Sequence, residues 1–264
     1  MELIKKQYRK YWILAIWVLI LGYLVFSFGI VGSDRNSTIC SGHSVIIDKG
    51  KGAKFITANE IDAILIAEKT ILKGVPLHDI NTTSIEKVIA NHPSVKDVTV
   101  YKTMRGVVCI EIEQRKPILR IINNKSQSFY IDETGLPMPF SRNYTPHILV
   151  AGGYIPKAKN TSQNDTVPQP KIFEDLYKMA KFITEDDYWN AQIVQVYVTQ
   201  KGEFELVSRV GDHDILFGGI ENYERKFAKL DALYRQGFAK YGWKKYSTIN
   251  LKFKNQVVCT ERNK

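Results

Sequence analysis

SVKDVTVYKTMRGVVCIEIEQR, residues 94–115, decides the fold of the first half of the chain. Valines alternate with polar residues before a short turn at Thr103–Gly106, and apolar residues alternate again after it. Alternation with a period of two on both sides of a short turn is typical of two antiparallel strands that share one buried face. The stretch therefore predicts a β-hairpin.

Upstream of the hairpin, the sequence predicts one strand and two helices. HSVIID, residues 43–48, has the short apolar pattern of a strand, whereas residues 55–69 and 83–90 place apolar side chains at helical spacing. Asn91-His92-Pro93 ends the second helix. The β-α-α-β-β order predicts a small α+β domain at residues 40–116. Each helix opens on a Ser/Thr-x-x-Glu pair, in which the two side chains can cap each other's free amides: Thr57 with Glu60, and Thr83 with Glu86.

Residues 117–264 predict a mixed β domain with two helices, so the fold class is α+β. Short apolar or alternating runs, separated by glycine-containing turns, indicate strands throughout this part. Amphipathic runs at residues 173–184 and 222–238 predict the helices. The polar segment 154–170 is typical of an exposed loop. YSTINLKFK, residues 246–254, and QVVCT are the predicted closing strands.

An uncharged stretch, Trp12–Val31, precedes the folded part. A helix of this length is about 30 Å long, which matches the apolar thickness of a bilayer. Basic residues concentrate before it, so the positive-inside rule places residues 1–11 in the cytoplasm and the chain from Ser33 onward outside. We predict a retained transmembrane helix followed by a linker at residues 32–39. A cleaved signal peptide is the alternative.

The composition is that of a globular protein with a basic surface. The formal net charge is +10, of which residues 1–11 contribute +3 (four Lys or Arg minus Glu2). No polybasic run occurs, and nucleic acid is a poor partner for a domain outside the cytoplasm. The charge favours an anionic membrane surface or an acidic protein, and a basic surface that only keeps the domain soluble is the alternative. Cys40, Cys109 and Cys259 are too few for a disulfide scaffold. One bridge with one thiol left over and three buried thiols both remain open.

No stretch of the sequence carries an established catalytic or cofactor-binding motif. The sharpest enzymatic candidate is Asp212-His213-Asp214. Behind a membrane anchor, a D-x-D motif is the pattern of a secretory-pathway glycosyltransferase that holds a metal and a nucleotide diphosphate. Gly211-Asp212 also lies where two strand patterns meet, so a turn is the simpler explanation. We predict no enzyme, no cofactor, no metal and no small-molecule substrate.

Three stretches resemble the helices and hairpin of a POTRA domain: FITANEIDAIL, GVPLHDINTTSIEKVIANHPSVKDVTVYK and VCIEIEQRKPILRI. Three later ones resemble the strands of a β domain that follows it: SFYIDETGLPMP, VGDHDILFG and YSTINLKFKNQVVC. In this order they make nearly the whole chain similar to the FtsQ/DivIB family of bacterial division proteins, and to its Bacteroidetes branch in particular. Other POTRA-containing proteins, of secretion and outer-membrane assembly, are the alternative within this fold. Asp165-Thr166-Val167 also resembles the Asp-Ser/Thr-aliphatic O-glycosylation motif of Bacteroides-type bacteria.

The resemblance implies a non-enzymatic scaffold of the division machinery, bitopic in the inner membrane at the septum. Its periplasmic β domain would bind single-span FtsB/DivIC-like and FtsL-like proteins and help control septal wall synthases. It also implies that the first and last POTRA strands are neighbours, so that Cys40 and Cys109 could form a bridge.

The family's partner-binding strand falls on Asn250, Leu251, Lys252 and Phe253, and the predicted contact set around it contains seven residues. We expect this strand to be an open sheet edge that accepts an added strand, with alternate apolar side chains facing inward. Lys252 stands where the family has an arginine, and a lysine lacks arginine's bidentate fork. The seven residues are Ile249, Asn250, Leu251, Lys252, Phe253, Lys254 and Asn255.

Overall fold

The computed structural model describes Trp12 and residues 14–27, 38–48, 54–141, 143–159, 169–238, 240 and 242–262. Contacts between the Cα atoms divide the chain into two units. The first contains Ala58–Ile89 and Val98–Ile112 together with the chain up to Asp48. The second contains Glu113–Lys264 together with Lys49–Thr57 and Ala90–Asp97.

The first unit is built on a three-stranded sheet with the predicted β-α-α-β-β order. The strands run in the spatial order β1-β3-β2, so β1 and β2 are the edges of the described sheet. The buried side chains include Ile61 and Leu65 of the first helix, Ile85 and Ile89 of the second, and Ile110 of β3. The elements are β1 (Gly42–Asp48), α1 (Ala58–Ala67), a 3₁₀ turn (Leu77–Asp79), α2 (Thr82–Ala90), β2 (Val95–Lys102) and β3 (Val107–Gln114).

Helix α2 starts earlier than predicted because Asn81 caps it. The Oδ1 atom of Asn81 accepts a hydrogen bond from the backbone N–H of Ser84 at 3.1 Å. Thr83 lies inside the helix, and Oε1 of Glu86 accepts a hydrogen bond from the N–H of Val100 at 2.8 Å. The predicted capping pair Thr83–Glu86 is therefore wrong. Asparagine is among the best N-cap residues, and Asn81 holds that position first.

The second unit contains a nine-stranded mixed sheet. Its strands run in the order β12-β11-β10-β9-β8-β7-β4-β5-β6. Helix residues Phe173, Leu176 and Phe227 pack with buried strand residues into one apolar core. The elements are β4 (Pro117–Asn123), β5 (Ser128–Asp132), β6 (Pro137–Pro139), β7 (Leu149–Gly153), α3 (Lys171–Glu185), α4 (Asp187–Gln192), β8 (Ile193–Val198), β9 (Phe204–Ser208), β10 (Asp214–Gly218), α5 (Tyr223–Ala232), a π-helix (Leu233–Phe238), β11 (Tyr246–Asn250) and β12 (Val258–Glu261).

Two elements of the second unit differ from the sequence prediction. Helix α4 was not predicted, although Asp186 caps it by accepting hydrogen bonds from the N–H groups of Tyr188 and Trp189. The single helix predicted at residues 222–238 changes to a π-helix after Ala232. Its residues Tyr234 and Phe238 are both buried and belong to the apolar core of the unit.

The predicted anchor is described in part. Trp12 and residues 14–27 are helical, and their large apolar side chains are exposed. Within the described residues, no helix combines the length and the apolar character that a membrane span requires. Residues 13 and 28–31 of the predicted span lie outside the described residues, as do the tail 1–11 and the motif Asp165-Thr166-Val167. The transmembrane helix therefore stays a prediction.

The three cysteines are free thiols. Cys40 is buried, and its Sγ lies 3.2 Å from the carbonyl oxygen of Gly42. Cys109 and Cys259 are half-buried. The bridge between Cys40 and Cys109 that the resemblance implied is not formed. Of the three buried thiols that were the alternative, Cys40 alone is fully buried.

Candidate partner-binding site

The predicted partner-binding residues span the end of β11 and the loop that follows it. Strand β11 pairs in parallel with β10 and antiparallel with β12, so it has a neighbour on both sides. The expectation that this strand is an open edge is therefore wrong. The strand also ends at Asn250 rather than Lys254, and residues 251–257 connect it to β12.

Strand β12 is the edge of the described sheet at this end. The N–H of Leu251 donates to the carbonyl oxygen of Leu216 in β10 at 2.9 Å, so the backbone groups of Ile249 also face β10. The backbone groups of Thr248 and Asn250 then face β12, where their register partners are Thr260 and Val258.

The backbone groups of β12 alternate in the same way. Val258 and Thr260 point their N–H and C=O groups inward to β11, and the N–H of Arg262 continues the pattern by donating to Lys245 O at 2.9 Å. Cys259 and Glu261 consequently point their N–H and C=O groups away from the sheet. No other strand of the described residues pairs with this side of β12.

The side chains of β12 divide between its two faces. Cys259 lies opposite buried Ile249 and packs against the core, and burial raises the pKa of its thiol. Val258 and Thr260 are exposed on the other face. An added strand would thus meet two outward backbone sites beside exposed side chains.

Helix α5 holds the loop before β12 in place. Nζ of Lys229 donates to the carbonyl oxygens of Leu251 and Phe253 at 3.2 and 2.7 Å. Burial, and then the nearby charge of Arg225, lower the pKa of this lysine. An Arg225 Nη2 group also donates to Oδ1 of Asn255 at 3.3 Å. The loop conformation therefore depends on basic side chains of the helix.

A basic cavity of about 400 Å³ opens between α5 and this loop. Nζ of Lys252 lies 2.5 Å from Oε2 of Glu203, and this hydrogen bond is the main cause of the lowered pKa of Glu203. Burial lowers the pKa of Lys226, whose Nζ donates to Gly219 O at 2.8 Å. The lining contains five basic and two acidic residues: Arg225, Lys226, Lys229, Lys252 and Lys254 against Glu203 and Glu221.

The predicted site residues fall on β11 and the loop after it, whereas the edge of the described sheet at this end is β12. Ile249 and Leu251 are fully buried, as predicted, and so they stabilise the fold instead of presenting a surface. Phe253 was expected to face inward and is 46% exposed. Lys252, Lys254 and Asn255 are also exposed. The sequence predicted QVVCT as a closing strand but gave no sign that this strand is the edge of the sheet.

The Asp212-His213-Asp214 motif lies where the chain turns into β10, and Asp214 is the first residue of that strand. Asp212 has a left-handed backbone with φ 55°, and its Oδ2 lies 3.0 Å from Nη1 of Arg262. His213 is buried, with Nε2 2.8 Å from the Tyr234 hydroxyl, and burial lowers its pKa. Among the described residues, no three His, Cys, Asp or Glu side chains form a group that could hold a metal ion. These contacts give the motif a structural role, which is the simpler of the two explanations considered for it.

A β-α-α-β-β unit followed by this mixed sheet defines a POTRA-type protein with a second, β-rich domain. The model of a POTRA-like domain matches residues 38–113, and the model described as FtsQ/DivIB, C-terminal related matches residues 116–260. The chain is 26% identical over 192 residues to the cell division protein FtsQ of Rhodothermus marinus, covering 71% of this chain and 68% of that protein. The chain belongs to the FtsQ/DivIB family.

Proposed function

We propose that this protein is a non-enzymatic scaffold of bacterial cell division, anchored in the inner membrane and docked to other division proteins through β12. Family membership supports the division role. FtsB/DivIC-like and FtsL-like single-span proteins are the proposed partners, and through them the chain would help to control septal peptidoglycan synthesis. The outward backbone of Cys259 and Glu261 is the observation that carries the docking mode.

Strand addition fits this edge because main-chain hydrogen bonds supply affinity and side chains beside them supply specificity. A partner strand would exchange hydrogen bonds with Cys259 and Glu261 and lie beside exposed Phe253 and Val258. The proposed contact surface is therefore residues 252–261, with Ile249 and Leu251 as its core support. It overlaps the predicted site at Lys252, Phe253, Lys254 and Asn255.

The charge of the cavity beside the loop specifies the chemistry of the partner. Its lining carries three more basic than acidic residues, five minus two. Lys252 forms an ion pair with Glu203, whereas Lys254 is an exposed residue of the cavity lining. We expect the docking strand to be preceded or followed by acidic residues, because charge complementarity speeds and orients association.

Crosslinking in membranes followed by capture of the full-length chain tests this function. Wild-type protein should recover small single-span proteins with coiled-coil sequences. Cys259→Pro removes an outward N–H and should reduce their recovery at least tenfold while circular dichroism stays unchanged, because proline is tolerated on a sheet edge. Undiminished recovery with Cys259→Pro would exclude β12 as the docking edge.

Two variants control this experiment. Cys259→Ala removes the thiol but keeps the N–H, so it should recover partners as the wild type does. Glu261→Pro removes the second outward N–H and should behave like Cys259→Pro. If neither proline variant loses partners, or if no division protein is captured at all, the proposed function is wrong.

A further inference from the structure

One end of the POTRA-like unit carries exposed apolar and basic side chains on three adjoining segments. These segments, residues 38–41, 69–76 and 102–106, are called the proximal surface below. The first is where the described chain resumes after the predicted anchor, and it includes the last two residues of the predicted linker. The second follows α1, and the third is the tip of the β2–β3 hairpin.

Backbone hydrogen bonds hold the three segments together. The N–H of Ser41 donates to Gly106 O at 2.8 Å, which fixes the first segment to the hairpin tip. The N–H of Cys40 donates to Val75 O at 2.9 Å, and the N–H of Gly74 donates back to Cys40 O at 2.8 Å. The approach at the tip is close, because a Cβ atom on Gly106 would lie 2.8 Å from Ile39 O. The proximal surface is thus one built feature of the fold.

The side chains of this surface combine two properties that suit a lipid headgroup region. Met104 is 92% exposed, Ile71 74% and Ile39 59%. Four exposed basic residues lie among them, and the three segments contain no acidic residue: Lys69, Lys73, Lys102 and Arg105. Exposed apolar side chains among basic ones bind anionic bilayers by burying the apolar groups and attracting the headgroups.

A shallow apolar groove extends the proximal surface along α1. It has a volume of about 660 Å³ and is lined in part by Leu65, Ile66 and Leu72. The acidic residue in its lining is Asp62, whose Oδ1 lies 2.7 Å from Nε2 of His43. The nearest acidic residues along the chain, Glu68 and Asp79, lie just outside the 69–76 segment. The groove therefore adds apolar area beside the basic residues.

The chain itself limits how far this surface can lie from a bilayer. Seven residue steps separate Val31, the end of the predicted anchor, from Thr38. A fully extended chain covers at most about 3.6 Å per residue, so these steps span no more than about 25 Å. The headgroup layer occupies about 5–7 Å of that distance. The proximal surface starts at the residue where this tether ends.

We propose that the proximal surface docks on the anionic headgroups of the membrane in which the chain is anchored, with Met104 and Ile71 entering the interface. The inference rests on the inner-membrane anchor of the proposed function. Docking at two places, through the anchor and through the hairpin tip, would orient the POTRA-like unit on the membrane.

Oxidation of Met104 by hydroxyl radicals tests this inference on the full-length chain in nanodiscs. Saturated phosphatidylglycerol mixed with phosphatidylethanolamine is compared with saturated phosphatidylcholine, and mass spectrometry measures the oxidised fraction. Oxidation of Met104 should be at least fivefold lower in the anionic nanodiscs. In the anionic nanodiscs, Lys102→Glu/Arg105→Glu should raise the oxidised fraction of Met104 back to its value in phosphatidylcholine. Lys87→Glu on α2, which lies outside the proximal surface, should leave the oxidised fraction low.

Each remaining outcome has a distinct meaning. Equal oxidation of Met104 in both lipids, or protection that survives Lys102→Glu/Arg105→Glu, overturns the lipid-docking inference. If the chain does not float with vesicles in high salt, it has no membrane anchor, and the inference that rests on the anchor is overturned as well. Capture of division partners is measured on the same variants. The double variant should leave that capture unchanged, so failure of lipid docking and failure of the proposed function are distinguishable.

Discussion

The two edge strands of the nine-stranded sheet, β6 and β12, are built in opposite ways. In β6, Met138 pairs with Tyr130, and the hairpin bond from Asp132 N to Leu136 O shows that Met138 points its backbone groups inward. The outward positions are then Pro137 and Pro139, which have no N–H to offer. In β12 the outward positions are Cys259 and Glu261, and both have an N–H group that can donate to an added strand. Within the part of the chain that the structure describes, the sheet therefore offers no outward N–H group at β6, the closed edge, and offers two at β12, the open edge, where a strand could be added.

The residues behind the two edges differ as well. Behind β6, Arg115 and Asp132 form a buried ion pair at 2.7 Å, and Arg115 Nη2 also donates to Leu136 O and Pro137 O. The outward carbonyl of Pro137 is therefore already bonded within the chain. At the β12 edge, Lys229 and Arg225 of α5 donate hydrogen bonds to the loop before the strand. The closed edge is thus fixed by a buried ion pair, and the loop beside the open edge by hydrogen bonds from basic side chains of a helix.

The largest expected effect is at the closed edge. Asp132→Ala leaves the Arg115 guanidinium buried without its partner and should lower the free energy of unfolding by about 3–5 kcal/mol. Denaturant titration of the full-length chain in detergent measures it. The paired replacement Arg115→Met/Asp132→Leu should cost clearly less, because no charge stays buried. A loss below about 1 kcal/mol for Asp132→Ala would mean that the pair does not fix this edge.

A proline scan of β12 sharpens the comparison. Thr260→Pro removes an inward N–H from the ladder with Thr248 and should cost about 1–3 kcal/mol. Cys259→Pro removes an outward N–H and should cost much less, so the stability difference reports which groups face the sheet. Thermal unfolding followed by circular dichroism measures both variants. Equal losses would contradict the assigned directions of the backbone groups.

The sequence predicted the order of elements well and the edges poorly, for a physical reason. Alternation along residues 95–114 and helical spacing in α3 report which side chains are buried, and burial decides local structure. Strand order in a sheet depends on pairing between distant segments, such as β10 with β11, which no local pattern contains. Ile249 and Leu251 were correctly placed inward. Nothing in their alternation indicates that β12 covers their strand.

A smaller effect is expected from the lysine that holds the loop beside the open edge. Lys229→Met removes the donor to Leu251 O and Phe253 O and should lower stability by about 1–1.5 kcal/mol. It should also weaken partner capture several-fold, because the loop before β12 loses its support. Lys254→Met, at an exposed position, is the matched control and should leave stability unchanged. Identical stabilities for the two variants would contradict this role of Lys229.

The smallest effect is a pH dependence at the open-edge end of the sheet. Burial lowers the pKa of His213, so the unfolded chain binds its proton more readily than the folded chain. This contribution is complete above the unfolded pKa of about 6.5 and is lost as the pH falls toward the folded value, by at most about 1.4 kcal/mol per unit. Stability should therefore fall between pH 7.5 and 5.5.

The comparison with His213→Gln isolates that contribution. Gln cannot titrate but can keep a hydrogen bond to Tyr234, so the variant should lose less stability over the same pH interval, whatever its stability at pH 7.5. Urea titrations at each pH give the free energy of unfolding of the wild type and of the variant. If this free energy changes with pH equally in both proteins, His213 is not the source of the pH dependence.

Amide hydrogen exchange with and without the captured partner tests most directly that β12 is the docking edge. Val258 and Thr260 point their N–H groups to β11 and should be protected in both states. The N–H groups of Cys259 and Glu261 should exchange quickly in the free protein and become protected in the complex. Protection that appears elsewhere, with Cys259 and Glu261 unchanged, would contradict docking by strand addition to β12.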